Sequence, residues 1–229
     1  MRIDIVADLI CPWCFIGKRR LERAMAMRPG LTVTLSWRAF RLNPEMPEEG
    51  MARERYVAAR FGGPRGAVQN QARILAAGRG EGIEFAFDKI RRTPNTLRAH
   101  RLVRHAADAG CADGVVEALF RGYFLAGLDL GDIATLAALA APAGLDESDT
   151  RAWLAGDEGT EEVLAEDRRA RRLGIHAVPC FVLESGYAIA GAQEPEMFLP
   201  LFDLAAAGPD AVRRTRRERA SVRRAAEEQ

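Results

Sequence analysis

Cys11-Pro12-Trp13-Cys14 constrains this chain more than any other stretch. Two cysteines separated by two residues either close a small disulfide or supply half of a metal site. The flanks decide how they are presented. Arg2-Ile-Asp-Ile-Val-Ala7 is β-branched and alternates polar with apolar, the period of a strand. From Phe15 to Met27, Leu21 and Met25 fall on one helical face, extended by Trp13, with Lys18, Arg19, Arg20, Glu22 and Arg23 around them. The pair therefore sits where a strand turns into a helix. Pro12 fits the first helical turn, where its missing N–H has no intrahelical partner.

That position has chemical consequences. Free N–H groups and the helix dipole at a helix N-terminus favour negative charge. Thiolate is the nucleophilic form of cysteine, and such a site stabilises it. Cys11, at the mouth of the helix, is the expected nucleophile. Cys14, one turn in, is the expected resolving thiol, which attacks a Cys11 mixed disulfide and releases the product. The competing reading is half a zinc site. Zinc usually takes four ligands, yet Cys111 and Cys180 are solitary and far apart, and His100 with His105 is the only histidine pair near ligand spacing. Redox chemistry is the better fit, and no metal is expected.

Composition narrows the setting. With 48% hydrophobic residues in 229, the chain can build a sizeable core. A net charge of +1 gives no general electrostatic reason for a nucleic-acid or membrane partner. No apolar run reaches membrane-spanning length, and Met1 leads straight into a strand rather than a secretory leader. The expected location is cytoplasmic, where a C-x-x-C is more often transient and catalytic than structural.

Leu31 to Trp37 alternates cleanly, with Leu31, Val33, Leu35 and Trp37 on one face, and predicts a second strand. Strand, helix and strand make a βαβ unit with parallel strands and a right-handed crossover. Asn43-Pro44 and Pro47 then mark a loop. From about Met51 to Leu154 alanine-rich helical patterns dominate. Helices are expected over 51–60 and 67–77, parted by Phe61 to Gly66, and a short extended stretch over 80–88. Further helices are expected from Thr93 or Asn95 to Ala109, over 114–125 and 133–141, and from Asp146 or Ser148. Glu161 to Leu173 is a charged helix stopped by Gly174. Phe181–Leu183 and Tyr187–Ala190 read as a hairpin about Gly186, and 195–207 as a last helix. The expected division is a domain from 1–44 and 159–208, a helical insertion over 45–158, and a charged tail over 209–229. The tail's arginines are interspersed with acids and read as a solvated helix rather than a nucleic-acid arm.

A C-x-x-C after the first strand, a helical insertion and Val178-Pro179 opening a late strand resemble the thioredoxin fold in its DsbA-like form. The resemblance implies an α/β thioredoxin fold with a large inserted all-helical subdomain, and a cis proline against the C-x-x-C. The FrnE-like dithiol oxidoreductases are more similar still, a branch grouped with 2-hydroxychromene-2-carboxylate isomerases and kappa-class glutathione transferases. Asp8-Leu-Ile-Cys-Pro-Trp-Cys-Phe-Ile-Gly17, Phe40-Arg-Leu-Asn-Pro44, Pro94-Asn-Thr-Leu-Arg-Ala-His100, Gly174-Ile-His-Ala-Val-Pro179 and Ala190-Gly-Ala-Gln193 carry this likeness. The isomerases and transferases are expected to hold serine where Cys11 stands, so two cysteines favour redox chemistry here.

The residues expected to act are Cys11, Cys14 and Pro179, with Pro12, Trp13, Val178, Asn95 and His100 contacting substrate. Several have a plainer reading: Asn95 as a helix cap, His100 as packing between subdomains, Trp13 as core. Asp8 is placed to accept a proton or to cap the turn. His176 is expected beside the site, Cys111 is incidental, and Cys180 is either a small core residue or a third thiol within reach. Three functions compete: a thiol–disulfide oxidoreductase, a glutathione-dependent isomerase or transferase, and a non-enzymatic redox-sensing binding module. Disulfide-bearing proteins or small thiols are the expected partners, with glutathione as a candidate co-substrate and no resident cofactor. A homodimer is left open.

Overall fold

The computed structural model describes residues 1–61 and 64–206. The charged tail, the end of the last helix at Ala207 and part of the break after Phe61 lie outside the described residues. Four strands form the central sheet: β1 (Arg2–Ala7), β2 (Thr34–Ala39), β5 (Cys180–Leu183) and β6 (Ala188–Ala190), in the order β2-β1-β5-β6. β1 pairs parallel with β2, Arg2 opposite Thr34 through Ala7 opposite Ala39. On its other side it pairs antiparallel with β5, Ile3 opposite Leu183 and Val6 opposite Cys180. Flanked on both sides, β1 buries Ile3, Ile5, Val6 and Ala7, which explains its apolar end.

Helix α1 (Pro12–Ala26) carries the chain from β1 to β2, as the βαβ reading requires. Phe15, Ile16, Leu21 and Ala24 face the core. The helix lies so close to β5 that a Cβ on Gly17 would sit 2.8 Å from Pro179 Cγ and 3.1 Å from Phe181 Cζ. Glycine there lets the dithiol helix and the Pro179 strand touch. On the opposite face, Arg38 of β2 pairs with Asp4 and with Glu166 of α8 (Thr160–Arg172). Gly174 closes α8 in a left-handed conformation, its N–H bonding Arg171 O while Ile175 N–H reaches Ala170 O.

Between β2 and α8 come α2 (Arg53–Phe61), α3 (Pro64–Gly80), α4 (Leu97–Asp108), α5 (Ala112–Ala126), α6 (Ile133–Ala140) and α7 (Glu147–Ala155). The insertion is helical as expected, with one small addition. Residues Met51–Ala52 (β3) and Arg92–Thr93 (β4) form a small antiparallel ladder, so α2 starts two residues later than expected. Two residues are too few to show alternation. The 80–88 stretch ends in a 3-10 turn at Phe87–Lys89 rather than a strand. β2 also starts later than its sequence pattern, because Thr34 is the first residue to bond the Met1 carbonyl, while Leu31 and Val33 still pack on the core. Pro195 yields a 3-10 turn before α9 (Leu199–Ala206). One buried cluster runs through sheet and insertion. At its seam Phe15 of α1 stacks on Phe120 of α5 with ring centroids 5.2 Å apart and meets Phe85 edge-on at 6.1 Å.

Candidate active site

The strand-to-helix junction puts Cys11 at the N-cap of α1, with extended backbone and no side chain capping the first turn. No acidic residue occupies that turn, so no carboxylate of the helix itself offsets the N–H groups and dipole at Cys11. Cys11 and Cys14 are both reduced and both buried, at 5% and 1% exposure. The Cys11 thiol donates to the Val178 carbonyl at 3.7 Å. The Val178–Pro179 peptide bond is cis. Gly191 N–H anchors this loop to the Pro179 carbonyl at 2.7 Å. Cys11, Pro12, Trp13, Cys14, Val178 and Pro179 thus come together, drawn from opposite ends of the chain.

Cys14 has a different environment. Burial pushes its thiol well above the ordinary value, and the neighbouring Cys11 and the charge of Asp8 push the same way, against a hydrogen bond with the Asp8 backbone. A thiol held protonated needs a base before it can attack. Asp8 is beside it and fully enclosed, at 0% exposure. Its Oδ2 accepts from Leu42 N–H at 2.7 Å, and its Oδ1 lies 3.4 Å from His100 Nε2. Neither Oδ1 nor Nε2 has a hydrogen-bond partner.

Outside Cys11 opens a groove of about 290 Å³, walled by the dithiol turn, the His176–Val178 loop and the facing sides of α2 and α3. Ile10, Trp13, Leu42, Val57, Ile74 and Phe87 make it apolar. Arg53, Arg60, Tyr56, Asn70 and Gln71 add polar groups, and among the described residues no acidic side chain lines it. In the sequence, only the spacing of Arg53 and Arg60, seven apart and so on one helical face, carried a trace of this wall.

Asn95 and His100, both expected to contact substrate, do not border this groove. Asn95 accepts from Leu97 N–H at 3.0 Å and donates to the Met46 carbonyl at 2.7 Å, which is a capping and bracing role. His100 is 4% exposed and faces Asp8. The Phe40–Pro44 string likewise braces the site from behind. Arg41 N–H donates to Asp167 at 3.0 Å, and Arg171 lies over the Phe40 ring at 4.5 Å. His176 borders the groove as expected. Cys180 is buried, and strand alternation turns it away from Phe181 and α1, so it does not address the dithiol. Cys111 caps α5 elsewhere. Among the described residues no cluster of His, Cys, Asp or Glu is arranged to hold a metal ion, and no helix is long and apolar enough to cross a membrane.

This architecture has known counterparts. The sequence profile of the DSBA-like thioredoxin domain matches residues 2–202. The chain is 32% identical to a probable DsbA oxidoreductase from Streptomyces coelicolor, with a TM-score of 0.81 over 91% of each chain. It shares its fold with a 2-hydroxychromene-2-carboxylate isomerase, at TM-score 0.64 and 18% identity over 97% of this chain and 99% of the other. It does so too with the cytosolic disulfide reductase DsbM from Pseudomonas aeruginosa, solved with glutathione, at TM-score 0.59 and 14% identity over 95% and 98%.

Proposed function

Because the chain belongs to the DSBA-like thioredoxin domain family, we propose that it catalyses thiol–disulfide exchange, with Cys11 as nucleophile and Cys14 as resolving thiol. The observation that carries this reading is the placement of the pair, with Cys11 at an uncapped helix N-terminus under Val178 and Cys14 backed by a buried carboxylate. Cys11 thiolate attacks a substrate disulfide, forming the mixed disulfide and expelling one substrate thiolate. Asp8 takes the proton of Cys14. The Cys14 thiolate then attacks Cys11 Sγ, closing the protein disulfide and releasing the second substrate thiolate. Two electrons pass from protein to substrate, and the same steps in reverse oxidise a dithiol. Pro179 and Val178 border the reacting sulfur, so a substrate backbone entering beside Cys11 meets them first.

The insertion supplies the outer wall of the groove, and its chemistry bears on the substrate. An apolar floor beside Arg53 and Arg60 suits a compact disulfide carrying carboxylates, glutathione disulfide or a glutathione mixed disulfide. The glutathione-bound DsbM neighbour is consistent with that class.

A redox titration tests the reading. The protein is equilibrated in glutathione buffers of graded poise, thiols are trapped by alkylation, and the peptides are mapped. A reversible Cys11–Cys14 disulfide with a potential between about −270 and −120 mV is expected, the span of thiol oxidoreductases. If Cys11 remains glutathionylated and Cys14 never pairs with it, the cycle is wrong, and glutathione-dependent isomerase or transferase chemistry takes its place. Reversible pairing with no turnover on any disulfide substrate would leave a redox-sensing binding module.

A further inference from the structure

We propose that His100 is the outlet for the proton that Cys14 surrenders, passing it from Asp8 into a second cavity along the edge strand β2 that shares no lining residue with the substrate groove. The proposal rests on the dithiol reading above. Asp8 has no contact with solvent, so a proton accepted there must leave through a neighbour. Oδ2 is occupied by Leu42 N–H. Oδ1 is free, and His100 Nε2, 3.4 Å away and equally unpartnered, is the titratable group it faces. Leaving a buried polar atom unsatisfied costs about 1–3 kcal/mol. Two complementary atoms within reach of each other, each without a bond, form a contact that closes once a proton lies between them.

The ring also borders a second cavity, of about 710 Å³, running along β2 between α4 and α5. No residue lines both this cavity and the substrate groove. The charged groups around it are Arg38 of β2, Arg104 and Asp108 of α4, Asp113 of α5 and Glu166 of α8. Arg38 is engaged by Asp4 and Glu166, Arg104 by Glu162, and Asp113 by Lys18. From the dithiol side the imidazole faces Asp8.

The steps balance. During resolution Cys14 gives its proton to Asp8, the S–S bond to Cys11 forms and the Cys11–substrate S–S bond breaks. The departing thiolate takes a proton from water in the groove. Protonated Asp8 passes its proton to Nε2, and Nδ1 releases one to water in the cavity. On the reductive return Nδ1 takes a proton from water, Nε2 returns one to Asp8, and Cys14 is reprotonated. His100 acts through Asp8 and is a positioning residue, not one that touches substrate.

The test uses H100Q, which keeps a polar side chain but cannot pass a proton through, and H100A, which opens space toward Asp8. Each full-length protein, reduced, is mixed with excess glutathione disulfide, quenched with acid and read by intact mass. The unmodified protein is expected to pass through the Cys11 adduct without accumulating it. H100Q should form the adduct at the unmodified rate and resolve it about tenfold more slowly, less than the roughly hundredfold or more of a direct general base because His100 acts one step removed. Imidazole should speed resolution by H100A and leave H100Q unchanged, a readout that loss of packing would not produce. Resolution by H100Q at the unmodified rate overturns the relay, as does slow resolution in H100A that imidazole leaves unmoved. If H100A does not fold, H100Q decides alone. If the unmodified protein never closes the Cys11–Cys14 disulfide, the dithiol reading falls and the relay with it. If it closes normally in every variant, only the relay falls.

Discussion

Gly17→Ala isolates the contact that holds the dithiol helix against the Pro179 strand. Two effects oppose each other. Alanine in place of glycine inside a helix gains about 1 kcal/mol. The new Cβ, however, would stand 2.8 Å from Pro179 Cγ and 3.1 Å from Phe181 Cζ. The first is about 0.6 Å inside ordinary van der Waals contact, on the repulsive wall of the potential. Neither neighbour yields easily: Pro179 is a ring tied to the backbone, and Phe181 is completely buried. Overpacking of this kind costs about 1–3 kcal/mol, and rigid neighbours put it in the upper half. The net expectation is a loss of about 1–2 kcal/mol. The loop displaced is the one whose Val178 carbonyl accepts from Cys11, so exchange with glutathione disulfide should slow as well. Urea unfolding of the reduced protein measures the first effect and quenched alkylation the second. Gly114→Ala is the control: its Cβ would meet only Ala143 Cβ at 3.4 Å, an ordinary contact, and it should gain up to about 1 kcal/mol. If Gly17→Ala is as stable as the parent while Gly114→Ala is stabilised, the close approach of α1 and β5 does not limit packing and the reasoning fails.

Other outcomes follow from the same geometry. Asp8→Asn should leave adduct formation at Cys11 intact and slow its resolution about a hundredfold at neutral pH, with recovery at alkaline pH where hydroxide replaces the base; quenched-flow mass spectrometry separates the steps. The lifted Cys14 thiol links stability to pH. In the reduced protein the unfolded thiol ionises above about pH 8.5 while the folded one keeps its proton, so stability falls as pH rises, by up to about 1.4 kcal/mol per unit. The oxidised protein has no such thiol, and the gap between the two urea midpoints should change accordingly between pH 8 and 10; a constant gap refutes the assignment. Arg53→Ala with Arg60→Ala should raise KM for glutathione disulfide several-fold with little change in kcat, and an unchanged KM would remove the anionic-substrate reading. Glu81, 2% exposed at its side chain, is held by Arg20 and Arg23. Glu81→Ala should cost about 2 kcal/mol by thermal or urea unfolding, the loss of charge-assisted hydrogen bonds to a buried carboxylate, because Arg20 keeps Glu194 and the Ala192 carbonyl as partners.

What could be read from the chain and what could not divides along one physical line. β1, α1 and the β5–β6 hairpin were legible because each carries a local pattern: alternation, a helical apolar face, a glycine at the turn. Cys11, Cys14 and Val178-Pro179 were legible because their chemistry is local too. The residues of the groove wall were not, because Arg53, Tyr56 and Asn70 become neighbours of Cys11 only through the packing of α2 and α3, and a shared helical face does not say what it faces. The β3–β4 ladder was too short to show a period. His100 was singled out, but its neighbour Asp8 was not foreseen. A histidine on a helix announces a titratable ring; that it meets Asp8 rather than substrate depends on how α4 crosses the sheet. Asn95 stayed open between capping and binding, because a polar residue opening a helix has the same composition whether it caps or binds.

The stacking of Phe15 on Phe120, four residues beyond Cys11, carries a lesson for anyone recombining such proteins. Lys18 of the same helix is buried against Asp113 and Glu117 of α5, so the joint is sealed by both aromatic and charged contacts. The dithiol helix and the insertion are therefore not interchangeable parts. A chimaera that borrows the insertion of one homologue and the thioredoxin-like half of another inherits two half-seams that do not match. Its altered substrate range would be inseparable from its altered rigidity. Diversification is cheaper on the outward walls α2 and α3, where a residue can change what enters the groove without touching that seam.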